Sequence, residues 1–222
     1  MSYRKITFAS GEFYHLYNRG NSKQAIFHDD EDRIRFLYLL FLSNDSNRFN
    51  IFDLKKNKDV FDHDREDQLV SIGAYTLMNN HFHILVTQGQ EGGISKFMQK
   101  LTTGYSMYYN KKYKRTGGLF EGKFKARHAV DDRYLKYLFS YIHLNAVQLL
   151  FPLWKENGIH DVVGAFRFIS KYEWCSYIDC VSEKIRPFSA ILDKNAFPDY
   201  FSSKKIGEKE ILDWLKYKDS LS

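Results

Sequence analysis

Two histidines near the middle of the chain have the spacing of a metal-binding pair. They flank one apolar residue in the segment His81-Phe82-His83, just after the polar turn Asn79-Asn80. Runs of β-forming residues enclose that turn, so the sequence predicts a hairpin whose second strand begins at the histidines. Alternate side chains of a strand share a face, so both imidazoles would project side by side and could bind a divalent cation. Two solvated histidines on a sheet face are the alternative.

A second candidate group lies on a helix that is predicted to begin at residues 131–132 and to end near Gln148. Tyr141 and Asn145 are four positions apart, so a helix places them together on one face, where they could act on the same substrate atom. Tyr137, one turn earlier, is the alternative nucleophile. A row of tyrosines is also typical of half-buried packing, and the sequence does not show that this face meets the histidines.

Basic side chains are concentrated in a loop and in the alternating run that follows it. From Leu119 to Arg127 the charged residues fall on one side of the predicted strand and the aromatic residues on the other. A cationic row beside a basic loop is typical of a surface that follows phosphates, and a lysine-protected edge strand is the alternative. The candidate phosphate-binding residues are Lys111, Lys112, Lys114, Arg115, Lys123, Lys125 and Arg127.

The composition favours a polyanionic partner. The 222 residues carry a formal net charge of +6, and 17% of them are aromatic. Cations and rings together suit unpaired nucleic acid, whereas a tyrosine-rich core in an AT-biased genome is the alternative. No run approaches the roughly 18 apolar residues of a membrane span. The N-terminus lacks the apolar segment of a secretory signal, so we expect a cytoplasmic protein whose two cysteines are free thiols.

The order of the predicted elements indicates the fold class. Strand, helix, strand, strand, helix, strand is the ferredoxin-like order, an α+β fold with a four-stranded antiparallel sheet and two helices on one face. The opposite face would stay free and carry the histidines. Besides the run at 119–127 and the helix after it, the predicted elements are strands at Phe13–Arg19, Leu69–Leu77 and His81–Thr87, and helices at 29–43, 94–111, 162–170 and 208–217.

Two segments lie outside this predicted core. The connection from Asn44 to Asp67 is rich in Asn, Asp and Lys, and we expect a short strand at Asn50–Leu54 and a mobile tip. Residues 1–150 are predicted to form the main domain, which contains the candidate residues. Residues 151–222 are predicted to be an extension with further helices, packed on that same domain.

Six ordered motifs resemble one known family. The chain resembles the IS200-like single-tyrosine transposases that carry a His-hydrophobe-His (HUH) motif, in particular the branch associated with repetitive extragenic palindromes (REP). It departs from that branch at Ala146, where Pro is usual, and at Asn79, where Pro is common. The motifs are Tyr-Asn-Arg-Gly at 17–20, Asp-Asp-Glu-Asp-Arg at 29–33, Leu-Met-Asn-Asn-His-Phe-His at 77–83, Gly-Gly-Leu-Phe-Glu-Gly-Lys-Phe-Lys-Ala at 117–126, Tyr-Ile-His-Leu-Asn at 141–145 and Trp-Cys-Ser-Tyr at 174–177.

The resemblance implies a metal-dependent endonuclease and strand transferase for single-stranded DNA, which acts in DNA transposition through a 5′-phosphotyrosine intermediate. Tyr141 matches the nucleophile of the family. His81 and His83 match the ligands of Mg²⁺ or Mn²⁺, and Asn145 matches the polar residue that completes the metal site. The implied partner is single-stranded DNA with hairpin or palindromic ends, which the basic residues would hold by position and charge.

Three alternatives stay open. A noncatalytic nucleic-acid-binding module can share the fold, although no segment supplies the aromatic strand pattern of RNA-recognition domains. A relaxase-like or replication-initiator-like nickase, or a domesticated copy that cuts without moving itself, would carry similar residues. The sequence also does not choose between a monomer and a homodimer, in which Tyr141 of one subunit would serve the histidines of the other.

Overall fold

The computed structural model describes residues 6–47, 59–182, 185–201 and 203–216. Its strands are β1 (Phe13–Arg19), β2 (Val70–Leu77), β3 (His81–Gln88) and β4 (Lys125–His128). Its helices are α1 (Asp30–Leu42), α2 (Gly93–Lys112), α3 (Asp132–Leu144), α4 (Trp154–Asn157), α5 (Val162–Ile169), α6 (Tyr177–Val181) and α7 (Lys204–Lys216). Short 3₁₀ turns lie at Asn21–Lys23, Val60–Asp62, Asn145–Leu149, Pro187–Ile191 and Lys194–Ala196.

The four strands form an antiparallel sheet in the order β2-β3-β1-β4. Strands β1 and β3 are central, as the ferredoxin-like order requires, so the predicted α+β fold is confirmed. Tyr17 of β1 pairs with His83 on one side and with Lys125 on the other. Arg19 pairs with His81. Side chains from three strands therefore meet on one face near one end of the sheet.

Helices α1 and α2 cover one face of the sheet. Asp29 caps α1 by accepting a hydrogen bond from the backbone N–H of Asp32 at 2.9 Å. Phe82 is fully buried in the core beneath these helices, together with Phe36 and Phe97. This burial fixes the register of β3, because a shift by one residue would exchange Phe82 with the histidines.

The opposite face of the sheet is not free, and that prediction was wrong. Helix α3 packs over it, where Leu138 and Ile142 join Ala74 and Leu85 in a second apolar cluster. The apolar stripe of α3 has to be buried somewhere, and this sheet face offers the matching surface. His83 contacts α3 on this face, so the active-site candidates lie between two layers rather than on an open sheet.

The segment after α3 contacts both the sheet edge and α3. The backbone N–H of Leu77 donates to the carbonyl of Trp174 at 2.9 Å, which covers the edge of β2. Helices α5 and α7 share an apolar cluster with the end of α3. The buried members of that cluster are Leu144, Ala146, Val147, Ala165, Ile169, Cys175, Tyr177, Ile211 and Leu215.

An ion pair between the partly exposed Arg186 and a buried carboxylate stabilises this C-terminal segment, and its loss should be measurable. Arg186 Nε donates to Asp179 Oδ1 at 2.9 Å, and the side chain of Asp179 has no exposed surface. We expect Arg186→Met to lower the free energy of unfolding by about 3 kcal/mol, because a carboxylate would stay buried without its cation. Urea unfolding measures the change.

The double variant with Asp179→Asn should recover part of that loss. Lys204→Met is the control, because it removes only an exposed pair with Glu208 and should change stability by less than about 0.5 kcal/mol. If Arg186→Met were no more destabilising than this control, the ion pair would not have the stabilising role assigned to it.

Some predicted boundaries differ from the structure. The run Leu119–Arg127 forms a strand only from Lys125 onward, because the chain turns at Gly122, whose φ of +105° is in the left-handed region. The α-helix predicted to continue to Gln148 changes at Asn145 into a 3₁₀ turn. The strand predicted at Asn50–Leu54 and the tip of that connection lie outside the described residues.

Two further sequence predictions concern cysteines and membrane spans. Cys175 and Cys180 are free thiols, as predicted. Within the described ranges, the structure contains no helix with the length and apolar character needed to cross a bilayer.

Candidate active site and metal centre

A cleft of about 710 Å³ opens at the end of the sheet where β1 ends and β3 begins. Its walls come from these two strands, the turn before β3, β4 and the C-terminal end of α3. The structure therefore brings the histidine pair together with the tyrosine and the asparagine that were predicted from the sequence. The polar and aromatic lining residues include Tyr17, Arg19, Lys23, His81, His83, Lys125, Tyr141 and Asn145.

The two histidines lie side by side in this cleft. Their ring centroids are 5.0 Å apart, and the rings are nearly perpendicular. His81 Nδ1 lies 2.6 Å from Asn80 Oδ1, and His83 Nδ1 lies 2.8 Å from His15 Nε2. Since each ring is held through Nδ1, Nε2 is the nitrogen of each histidine that would bind a ligand.

Helix α3 presents Tyr141 to the second histidine. The Tyr141 ring centroid is 6.0 Å from that of His83 and 5.8 Å from that of His15. Tyr141 borders the apolar stripe that packs on the sheet, so burial of the stripe brings the phenol to the cleft.

Tyr137 lies one turn earlier on the same helix but in a different environment. Its ring packs against Trp214 and Tyr141, with centroids 5.1 and 5.5 Å away. Burial, together with the neighbouring Tyr141 and Tyr134, raises the pKa of Tyr137 to about 12. The Tyr137 phenol ionises less readily than an ordinary phenol and does not line the cleft, whereas Tyr141 does. Tyr141 is therefore the better candidate for the nucleophile.

Asn145 is the first residue of the 3₁₀ turn that follows α3. It is buried, and its Nδ2 donates to the carbonyl oxygen of Tyr141 at 2.7 Å. This bond uses the amide nitrogen, so Oδ1 is the atom of Asn145 that would serve as a metal ligand.

The donor set fits a divalent cation with open coordination positions. Two imidazoles and one amide line the same cleft. Among the described residues, no three His, Cys, Asp or Glu side chains are grouped so that they could hold a metal ion. A structural zinc site needs four closed ligands and is a poor match, whereas mixed nitrogen and oxygen ligands suit Mn²⁺ or Mg²⁺.

The predicted basic residues form two groups. Lys123, Lys125 and Arg127 are exposed on or beside β4, and Lys125 lines the cleft. Hydrogen bonds with the phenols of Tyr17 and Tyr134 raise the pKa of Arg127. The other four residues lie at the end of α2, outside the cleft lining: Lys111, Lys112, Lys114 and Arg115.

Lys112 has partners within the fold. Its Nζ lies between 2.9 and 3.0 Å from carboxylate oxygens of Asp29, Glu31 and Asp32. Burial disfavours its charged form, but the hydrogen bonds to these carboxylates outweigh burial and raise the pKa of Lys112. The ion pairs tie α2 to the start of α1, so the charge of Lys112 is balanced and a DNA-binding role stays a prediction.

Sequence reasoning placed β1 correctly but missed two of its side chains. His15 is buried against His83, and the Tyr17 ring lies 5.9 Å from the same imidazole. Strand alternation puts both on one face, and the ferredoxin-like order makes β1 the neighbour of β3. Those two rules together would have placed His15 and Tyr17 beside the metal-binding pair.

The fold and the cleft define a class of α+β proteins in which a histidine pair on a central strand faces a tyrosine on a helix. A family model described as "Transposase IS200 like" matches residues 13–145, which is more than half of the chain. The chain therefore belongs to the IS200-like transposase family and is a transposase-like protein. The matched segment includes the complete sheet and all four candidate residues of the cleft.

A solved structure of a REP-associated tyrosine transposase bound to a REP hairpin is similar in fold. The TM-score is 0.51, with 10% sequence identity, over 81% of this chain and 84% of that one. At this identity the similarity shows the fold alone. No curated protein is similar enough in sequence to match the chain.

Proposed function

We propose that this protein is a metal-dependent endonuclease and strand transferase for single-stranded DNA that acts in DNA transposition. The observation that carries the proposal is the meeting of Tyr141, His81 and His83 in one cleft. Membership of the IS200-like family supports a transposase. The REP hairpin in the similar structure supports a hairpin or palindromic DNA end as the partner.

The proposed first step is attack of the Tyr141 hydroxyl oxygen on a backbone phosphorus. A bond forms between that oxygen and phosphorus, the bond from phosphorus to the 3′ oxygen breaks, and the proton lost by the phenol is balanced by the proton gained by the leaving 3′-hydroxyl. The 5′ end stays on Tyr141 as a phosphotyrosine. A second 3′-hydroxyl can then attack the phosphotyrosine, form a new phosphodiester bond and release Tyr141. This step needs no nucleotide cofactor, because one phosphate ester bond replaces another.

His81, His83 and Asn145 would hold the divalent cation, Mg²⁺ or Mn²⁺. Such an ion polarises the phosphate and offsets charge in the transition state. The exposed Lys125 lines the same cleft and adds a positive charge from the protein. Packing of α3 on the sheet fixes Tyr141 beside the histidines and limits the search for a reactive geometry.

The same proposal covers domain organisation and assembly. Residues 1–150 would be the catalytic domain and residues 151–222 an extension that supports α3 through the apolar cluster of α5 and α7. Tyr141 and His83 meet within one chain, which supports action in cis in a monomer or a homodimer. A cytoplasmic location belongs to this proposal, because the proposed substrate is cellular DNA.

Binding of phosphates should depend on β4 more than on the end of α2. We expect Lys123→Gln and Lys125→Gln each to weaken binding of single-stranded DNA. Each should also reduce the steepness of the plot of log binding constant against log salt concentration by about 0.7 per lost contact. Lys112→Gln should change binding less, because three carboxylates balance its charge. Fluorescence anisotropy at several salt concentrations measures this. Lys96→Gln, on the exposed face of α2, is the control. If Lys96→Gln and Lys125→Gln had the same salt dependence of binding, the assignment of phosphate binding to β4 would be wrong.

The test of the reaction class is a denaturing gel of the purified protein with labelled single-stranded oligonucleotides from the flanks of its gene. With Mn²⁺ we expect a protein–DNA adduct that EDTA prevents. An added oligonucleotide with a free 3′-hydroxyl should release the protein and give a joined DNA product. Nicking without joining would favour a relaxase-like or replication-initiator-like nickase. Salt-sensitive binding without any adduct would favour a noncatalytic nucleic-acid-binding module.

A further inference from the structure

Asn80 connects the turn before β3 to the first histidine. Its Nδ2 donates to the carbonyl oxygen of Lys23 at 3.0 Å, which identifies Oδ1 as the acceptor of this amide. Nδ1 of His81 lies 2.6 Å from that Oδ1. An amide oxygen can only accept, so Nδ1 of His81 carries the proton and the lone pair of the neutral ring is on Nε2.

The carbonyl that fixes Asn80 lies in an unusual turn. Ser22 and Lys23 have φ values of +53° and +58°, a left-handed conformation that residues other than glycine rarely adopt. The N–H of Lys23 donates to the carbonyl of Gly20 at 3.0 Å, and the N–H of Gly20 donates to the carbonyl of Asn80 at 2.8 Å. The turn therefore binds Asn80 at two points, the side-chain Nδ2 and the backbone carbonyl. These two bonds fix the orientation of the Asn80 side-chain amide.

His15 has the corresponding place beside the second histidine. Its Nε2 lies 2.8 Å from Nδ1 of His83, and the two residues are only 4% and 6% exposed. In the register of β1 and β3, Tyr17 pairs with His83, so His15 is the diagonal neighbour on the same face. Of two imidazole nitrogens at this distance, one must donate and the other accept.

We propose that Asn80 and His15 are positioning residues for the two histidines of the cleft. Asn80 holds His81 in the tautomer that carries the proton on Nδ1, and His15 accepts the corresponding proton of the second ring. Both rings then present Nε2 lone pairs to the same ion, whereas a ring protonated on Nε2 cannot be a ligand. This inference rests on the metal site of the proposed function.

Long-range ¹H–¹⁵N spectra of the full chain without metal show which ring nitrogen carries the proton. We expect Nδ1 to be protonated in both histidines of the wild type. His15→Leu should shift His83 toward the other tautomer and leave His81 unchanged, and Asn80→Ala should do the reverse. A proton on Nε2 of His83 in the wild type, or tautomers unaffected by both substitutions, would overturn the inference.

The Mn²⁺ affinity, measured from the electron paramagnetic resonance of the free ion, gives a second readout. His15→Leu and Asn80→Ala should each raise the Kd by about 10- to 100-fold. His15→Gln, whose amide oxygen can accept the same hydrogen bond, should stay within about threefold of wild type, so the inference remains testable where the leucine variant does not fold.

Asn79→Ala is the matched control, because this neighbouring side chain accepts from Arg33 and not from a histidine. Wild-type Mn²⁺ affinity in both His15→Leu and Asn80→Ala would overturn the inference. A wild type that binds no Mn²⁺ would refute the metal part of the proposed function. The spectra would then decide by themselves whether Asn80 and His15 set the tautomers.

Discussion

Tyr141→Phe is expected to abolish the covalent adduct while the affinity for single-stranded DNA stays within about threefold of wild type. The substitution removes the attacking oxygen and keeps the aromatic ring. The centroid of that ring lies 6.0 Å from the His83 centroid and 5.5 Å from the Tyr137 centroid. The loss therefore belongs to the chemical step, because phenylalanine supplies no nucleophile. A denaturing gel measures the adduct, and fluorescence anisotropy measures binding.

Tyr137→Phe is the matched control for this prediction. It removes a different phenol from the same helix, and burial raises the pKa of that phenol to about 12. The amount of adduct should stay close to the wild-type level. Mass spectrometry of the digested adduct should find the nucleotide on the peptide that contains Tyr141. An adduct that survives Tyr141→Phe and disappears in Tyr137→Phe would move the nucleophile to Tyr137.

The parts of the site that follow local rules could be predicted from the sequence. The alternation of a strand puts His81 and His83 on one face and Phe82 in the core, and the structure shows this arrangement. The four-residue spacing also places Tyr141 next to Asn145, which donates to its carbonyl. Such predictions succeed because they depend only on the period of one element and on one buried side chain.

The parts that depend on contacts between distant segments were not predictable in the same way. The packing of α3 on the second sheet face joins segments far apart in sequence, and it decides where Tyr141 lies. His15 acquires its importance only when β1 pairs with β3. Lys112 looks like a phosphate ligand in a basic loop until three acidic residues of α1 and its cap are brought against it. A local pattern identifies the chemistry of a side chain, and tertiary contacts decide whether that chemistry is already used.

His81→Ala and His83→Ala are each expected to raise the Mn²⁺ concentration for half-maximal adduct by about 10- to 100-fold, and the double variant should give no adduct. Each substitution removes one nitrogen from a three-ligand set and leaves Tyr141 in place, so excess metal should partly rescue the single variants. Adduct formation across a Mn²⁺ titration measures this. His160→Ala, at an exposed site outside the cleft, should behave like the wild type.

The two histidines should differ in their effect on stability, which separates metal binding from folding. His83 is buried against His15, so its truncation leaves a cavity and should lower the melting temperature as well. His81 is half-buried at the start of β3, so its truncation should change the metal requirement with little change in melting temperature. His81→Ala is therefore the cleaner test. An unchanged Mn²⁺ requirement in this variant would show that His81 is not a ligand of the catalytic ion, and the proposed metal site would have to be abandoned.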